Sequence, residues 1–353
     1  MTRRLVLTLG GMAALSAVAA LGAGTPATAS APTSATVTAT TAANGVFSTP
    51  LAGSSSDMQK VAAYWTPDKI RRASTLGPTA KPSSSPGTSA AEVAPPKTKA
   101  APKTKVKKAA RGQAGPPMVG KVFFKLGGRE YWCSGSVVHS KNHNLVATAG
   151  HCAYSLTSNR AVEDWIFIPS YVDGRSDAGI YVGQTLYLHE DFRAGDFDRD
   201  YAFVTVYPGY TWNNGRQVAA GRLEDRVGAF VFSSAIAIGR KVSIFAYPAG
   251  PHPDGSSPYS GQSVVHCDGV TDKRWVASPT WALERGIRLE GCPYTAGASG
   301  GPWVLGYNAA RKTGYLNGVV SLTWNLNADG KLDAVSTPWF NGATRRVYAQ
   351  AAG

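Results

Sequence analysis

The chain has 353 residues, 43% of them hydrophobic, enough for one or two domains with a sizeable core. Its net charge of +14 suggests a nucleic-acid partner until it is divided along the sequence. Residues 1–111 hold 14 Lys+Arg against 3 Asp+Glu, which leaves 22 against 19 for residues 112–353. That nearly neutral remainder gives no basic binding face, so no nucleic-acid partner is expected.

The first 29 residues read as an export signal. Arg3 and Arg4 give a positive start, an apolar run follows from Leu5 to about Leu21, and Ala27-Thr28-Ala29 offers small residues for cleavage. The run is short and diluted by Gly10, Gly11 and Ser16, which argues against a membrane anchor that persists after signal removal. Thr2-Arg3-Arg4-Leu5 also partly resembles a twin-arginine signal. Residues 30–111 are expected to be a prosegment ending in a disordered basic linker. Within it, Met58–Ser74 is one short helical candidate. Lys97, Lys99, Lys103, Lys105, Lys107, Lys108 and Arg111 carry positive charge without an acid among them, in surroundings too poor in apolar residues to offset their ordering entropy. Cutting there would release a mature domain over residues 112–353; the alternative is a solvated spacer.

From Val119 the texture changes to short apolar runs bounded by Gly, Asn, Asp and Pro. Val119–Leu126, Trp132–His139, Leu145–Ala149, Trp165–Ile168, Ala202–Val206, Lys241–Tyr247, Gln262–Cys267 and Tyr315–Leu322 read as strands, and a helix is expected only near Ala343–Ala351. Many short strands at fairly even spacing predict an all-β sandwich or barrel. Cys133, Cys152, Cys267 and Cys292 are the four cysteines, an even number in an exported chain, which favours two disulfides over a metal site. Neighbours in sequence would pair most simply, and no pair has the close spacing of zinc ligands.

Three segments carry chemistry. Thr148-Ala149-Gly150-His151-Cys152 closes an apolar strand, Asp200-Tyr201-Ala202-Phe203-Val204 opens one, and Gly297-Ala298-Ser299-Gly300-Gly301-Pro302 sets a serine among glycines. A serine hydroxyl is a weak nucleophile until a base takes its proton, and a carboxylate fixes the tautomer of that base. All six histidines precede Ser299, which excludes the Ser–acid–His order of α/β-hydrolases. Between residue 112 and His151 the only acid is Glu130, which disfavours the acid–His–Ser order. His, Asp, Ser remains. Asp196 and Asp198 alternate with Asp200 and could suggest a metal, but are read as solvent-facing loop residues. Asn325-x-Asn327-x-Asp329-Gly330 starts like a calcium loop and fails at its twelfth position, Ser336, so no metal or cofactor is expected.

Over roughly residues 118–340 the chain resembles the chymotrypsin-like (trypsin-like) serine protease superfamily, and within it the secreted bacterial branch that includes glutamyl endopeptidases. The resemblance rests on Cys133-Ser-Gly-Ser-Val-Val138, Ala147-Thr-Ala-Gly-His-Cys152, Asp200-Tyr-Ala-Phe-Val204, Gly297-Ala-Ser-Gly-Gly-Pro302 and Gly318-Val-Val-Ser321. It implies an all-β fold of two six-stranded antiparallel barrels with a short C-terminal helix, one barrel over about 118–215 and the other over about 216–340, with the active site between them. It also implies a Cys133–Cys152 bridge, Ser299 as nucleophile, His151 as base, Asp200 as its orienter, and an oxyanion hole from the N–H groups of Gly297 and Ser299. Val320, Ser321 and Thr323 would bind substrate. Two departures stand out. Members that activate through a buried new N-terminus have Asp where this chain has Ala298, so a Cys267–Cys292 bridge is expected to hold the loop. Pro293 and Val320 support neither a basic nor an acidic specificity pocket. The chain is thus read as a secreted, monomeric serine endopeptidase acting on proteins or peptides, with a catalytically silent binding module or an esterase on the same scaffold as alternatives.

Overall fold

The structure, a computed structural model, describes residues 38–75, 105–108, 115–236 and 238–353; the expected signal and most of the linker lie outside them. Six antiparallel strands close the first barrel: Tyr181–His189, Glu163–Pro169, Val119–Leu126, Arg129–Val137, Leu145–Thr148 and Ala202–Val206, the last pairing back onto the first. Its interior is filled by Val122, Val137, Val146, Leu186 and Val204, which the strand pairing places on one face, all fully buried. Alternating apolar positions, or doubly buried runs such as Phe203-Val204, are what such strands need.

The second half uses Lys241–Ala246, Val265–Val270, Leu283–Glu290, Pro302–Asn308, Thr313–Val319 and Ala334–Pro338. Its ladders form two sheets. One runs through 313–319, 302–308, 241–246 and 265–270; the other joins 283–290, 334–338 and Leu322–Trp324. The half-barrel is therefore open, and the Cys267–Cys292 disulfide links its two sheets. A final helix, Gly342–Ala352, begins with a capping box between Asn341 and Thr344 and buries Val347 and Ala351. Tyr348 stacks on Phe232 at 4.1 Å and donates to the His139 carbonyl at 2.7 Å, so the chain ends against the first barrel.

The disorder expected of the basic linker is corrected at one place, and residues 38–75 hold more structure than the one helix expected there. Lys105–Lys108 forms an antiparallel strand on Val265–Asp268, covering a sheet edge that would otherwise be unpaired. Residues 38–75 contain the strand Val46–Pro50, the helices Ser55–Tyr64 and Pro67–Arg72, and the short strand Ser74–Thr75. The single helix expected around residues 58–74 is two, because Pro67 starts a new turn behind its Thr66 cap. Strands 181–189, 283–290, 302–308 and 334–338 were not legible as strands: Gly183 and the charged face of Leu283-Glu-Arg-Gly-Ile-Arg-Leu-Glu290 blur the first two, and prolines bound the others.

Candidate active site

His151 lies in a single 3₁₀ turn, Gly150–Cys152, directly after the strand Leu145–Thr148. The turn is pinned by the Cys133–Cys152 disulfide, which fastens it to the neighbouring strand Arg129–Val137. Asp200, fully buried, sits just before Ala202–Val206 and brings its carboxylate under the imidazole. Its Oδ2 lies 2.9 Å and its Oδ1 3.1 Å from His151 Nδ1; Oδ1 also accepts from the His151 backbone N–H at 2.9 Å. Ser321 Oγ donates to Oδ2 at 2.5 Å. The carboxylate only accepts, so Nδ1 must carry the proton and Nε2 is the basic nitrogen. Position 150 has to be glycine for this approach, because a Cβ there would lie 2.9 Å from the Phe192 ring and 3.1 Å from Asp200 Oδ1.

Ser299 comes from the other half of the molecule. It stands in the turn ahead of strand 302–308 and is 5% exposed; His151 is 4% exposed. Nε2 of His151 makes no hydrogen bond among the described residues, the Ser299 hydroxyl included. Such contacts often tighten only when substrate binds. Gly300, with φ +81°, lets the turn press on the first barrel: a Cβ would fall 2.2 Å from both the Ser134 carbonyl and Thr148 Oγ1.

The loop that precedes Ser299 is held by backbone contacts. The Ala296 carbonyl accepts from Ala249 N at 2.9 Å and Gly250 N at 3.0 Å. In a trans peptide the following N–H points the opposite way, so Gly297 N is turned away from these donors. Gly297 and Ser299 donate their N–H groups to no acceptor among the described residues. Ser134 ties this loop to the first barrel. Its N–H donates to the Ser299 carbonyl at 2.7 Å, its hydroxyl donates to the Gly297 carbonyl at 2.9 Å and accepts from Tyr247 N at 2.9 Å. Thr148 Oγ1 in turn donates to the Ser134 carbonyl at 2.8 Å. The Cys267–Cys292 bridge is present, and the contacts made directly by the loop are ones the sequence did not reveal.

Of the remaining candidates, Ser321 is buried against Asp200, Thr323 is half-buried on Leu322–Trp324, and Val320 is fully buried in the apolar cluster with Cys267, Cys292 and Tyr294. The Val320 backbone exchanges bonds with Gly300 N (2.7 Å) and the Gly301 carbonyl (2.8 Å), joining the serine turn to this strand. Asp196 and Asp198 are not the solvent-facing residues expected. Asp196 caps the turn Phe197–Arg199, and burial pushes its carboxyl up. Asp198 accepts from the N–H groups of Glu284 (3.2 Å) and Arg285 (2.8 Å), binding the Asp200 loop to the second half. In the calcium-like loop the carboxylate of Asp333 accepts from Leu326 N, Asn327 N and Asn327 Nδ2, so the loop's own donors engage both its oxygens. Cys133, His151 and Cys152 are close enough to suggest a metal cluster, but both sulfurs are in a disulfide and offer no thiolate.

Lys121 is a residue the sequence gave no reason to single out. It is 1% exposed, with Nζ 3.8 Å from the Trp132 ring centroid and 4.3 Å from that of Tyr171. No carboxylate pairs with it among the described residues, and burial alone holds its amine well below the usual lysine range.

The trypsin family model matches residues 104–341. The chain belongs to the trypsin family. Two solved structures extend the likeness at the level of fold. Protease Anisep from Arthrobacter nicotinovorans is 28% identical with a TM-score of 0.55, covering 68% of this chain and 97% of its own. The thermostable serine protease AL20 from an extremophilic microorganism is 27% identical with a TM-score of 0.54, covering 67% and 97%. No curated protein matches the chain. The family and its fold make this chain a serine-type peptidase, a hydrolase built on the chymotrypsin-like fold with two disulfides.

Proposed function

We propose that the chain is a secreted serine endopeptidase that cleaves proteins or peptides through an acyl-enzyme on Ser299. The observation that carries this reading is the Asp200 carboxylate. It binds His151 at Nδ1 and at the backbone N–H, takes a third bond from Ser321, and leaves the buried Nε2 with no hydrogen bond among the described residues. His151 Nε2 takes the Ser299 proton as Oγ attacks the scissile carbonyl, and Asp200 stabilises the imidazolium that forms. The N–H groups of Gly297 and Ser299 receive the oxyanion. His151 then hands the proton to the leaving amine, and water repeats the sequence on the ester. Ser321, Thr323 and the strand following Val320 line the acyl side. The residues named perform each step with no metal or cofactor. Secretion is supported by the N-terminal charge and hydropathy pattern and by two disulfides, which persist in oxidising compartments.

Labelling the purified protein with a fluorophosphonate probe tests the mechanism. A single adduct located on Ser299 by peptide mass, lost in Ser299→Ala and His151→Ala, is expected. Loss of turnover in Ser299→Ala should approach a million-fold, on the order seen for removal of a triad nucleophile. A folded protein that carries no adduct, or an active Ser299→Ala variant, refutes it.

A further inference from the structure

The N-terminal segment does not sit on the barrel as a detachable cover. Strand 163–169 pairs with strand 181–189 only at Tyr181 and Val182, leaving the rest of that edge open. Val46–Pro50 takes up the open edge in five antiparallel pairs, from Val46 opposite His189 to Pro50 opposite Thr185. Val46, Phe47, Val61, Ala62, Trp65 and Ile70 are buried in the same apolar cluster as the barrel's own Val122 and Phe123. Trp65 is wholly buried, its ring 5.7 Å from that of Phe123 and its indole N–H donating to the Asp164 carbonyl at 2.5 Å. Tyr207 and Tyr210 on the barrel donate their hydroxyls to the Ala52 (2.9 Å) and Ala62 (3.2 Å) carbonyls. Loss of the segment would leave an unpaired strand edge and an exposed apolar face together.

The segment also reaches the oxyanion loop. Ser74–Thr75 pairs in parallel with Tyr131 and Trp132, the two residues before Cys133 and Ser134. The Thr75 methyl lies 2.9 Å from where a side chain on Gly297 would begin. The strand edge beside the oxyanion loop is therefore already occupied by this chain's own residues, and a bound peptide cannot add itself there. The trypsin family model starts at residue 104, so this wall is an addition to the family domain.

Resting on the protease reading above, we propose that residues 38–75 stay in the active enzyme as a non-covalently held light chain when the basic linker is cut. Ser74–Thr75 then form the wall that limits the residues on the leaving-group side of the scissile bond. The first experiment inserts a sequence-specific protease site between residues 81 and 95 of the full chain, cuts it, and runs gel filtration in native buffer. The light fragment should co-elute with the protease domain and separate only in denaturant. A fragment that leaves while the domain keeps its melting temperature overturns retention. Elution requires no activity, so a protein that failed to label at Ser299 would still answer it. The second experiment compares Thr75→Trp with the parent on a short chromogenic amide and on peptides extended three residues beyond the cleaved bond. The extended peptides should lose about tenfold more in kcat/KM than the short amide, a difference on the scale of misfitting pocket contacts. Equal effects on both substrates, or none on either, overturn the wall.

Discussion

Ser134→Ala is the substitution that most directly tests how this chain builds its oxyanion hole. The hydroxyl donates to the Gly297 carbonyl and accepts from Tyr247 N, both at 2.9 Å in a buried setting. Two net hydrogen bonds are worth roughly 1–3 kcal/mol together, and leaving buried partners unsatisfied raises the cost of each towards 1–3 kcal/mol. A stability loss of about 2–4 kcal/mol is expected on these terms. The Gly297 carbonyl also loses its bond from Ser134, while the Ala249 and Gly250 bonds to the Ala296 carbonyl, on the peptide that carries the Gly297 N–H, remain. Complete loss of an oxyanion donor costs about 10²–10³ in kcat, so a donor that is loosened but present should cost roughly 10–100-fold. Steady-state kinetics on a peptide amide, beside the affinity of a peptide boronate, reads this out: kcat and boronate affinity fall together while KM moves little. A variant that melts earlier yet keeps its kcat and its boronate affinity would show Ser134 to be a packing residue only, and the argument would fail.

Asp200→Asn should preserve the packing around the imidazole but offer Nδ1 a donor in place of an acceptor, with a loss of about 10⁴-fold in kcat as for the triad arrangement in general; parent-like activity would remove Asp200 from the proposed triad. Lys121→Met addresses the buried amine. Its folded-state proton affinity lies well below the ordinary value of 10.5, so between those two pH values the unfolded chain holds more protons than the folded one. Stability of the parent should therefore rise with pH across that window, by at most about 1.4 kcal/mol per unit, and be lowest below it. The Met variant should be more stable at pH 7 and lack the rise, as followed by denaturant melts from pH 6 to 10. A less stable variant with the same pH slope would mean that the aromatic rings more than offset the burial of the ammonium.

The parts legible in the sequence were those whose chemistry is local. Gly150-His151-Cys152, Asp200 and the glycines around Ser299 announce a tight turn, a buried acceptor and a close backbone approach within a few residues each, and the structure brings His151 and Asp200 together. The strands at 119–126 and 202–206 have the bounds expected of them, because largely apolar, β-branched and aromatic segments between turn residues leave little choice. What escaped depended on partners distant in sequence. Ser134 reads as one small residue among several, and only the arrival of Gly297, Ser299 and Tyr247 from the other half gives its hydroxyl and N–H their bonds. Val46–Pro50 is strand because strand 181–189 offers it an open edge, and its own Ser-Thr-Pro end argues against the assignment. Lys121 breaks the rule that lysines stay outside, and nothing in Val119–Leu126 foretells the rings that surround it.

The substitution of Ala298 for an acid has a consequence that can be measured. Ala298 is fully buried, so no carboxylate waits at that position for a new N-terminal amine. The restraints on the Gly297 peptide come instead from Ala249, Gly250, Ser134 and the turn bonds Ala298 N to Thr295 O (3.1 Å) and Gly301 N to Ala298 O (2.9 Å). None of these groups is created by cutting the chain, and all are in place while the chain is intact. The uncut protein should therefore react with a fluorophosphonate at Ser299 at close to the rate of the cut form. Activation by a buried terminus, by contrast, would have to orient the oxyanion donor anew, and absence of that donor costs about 10²–10³ in rate. Labelling rates of a linker variant that cannot be cut, measured beside the cut enzyme, decide between them. A deficit of that size in the uncut chain would show that the loop needs a signal these backbone contacts do not supply; near-equal rates would leave the linker with control over release and access, and none over the chemistry.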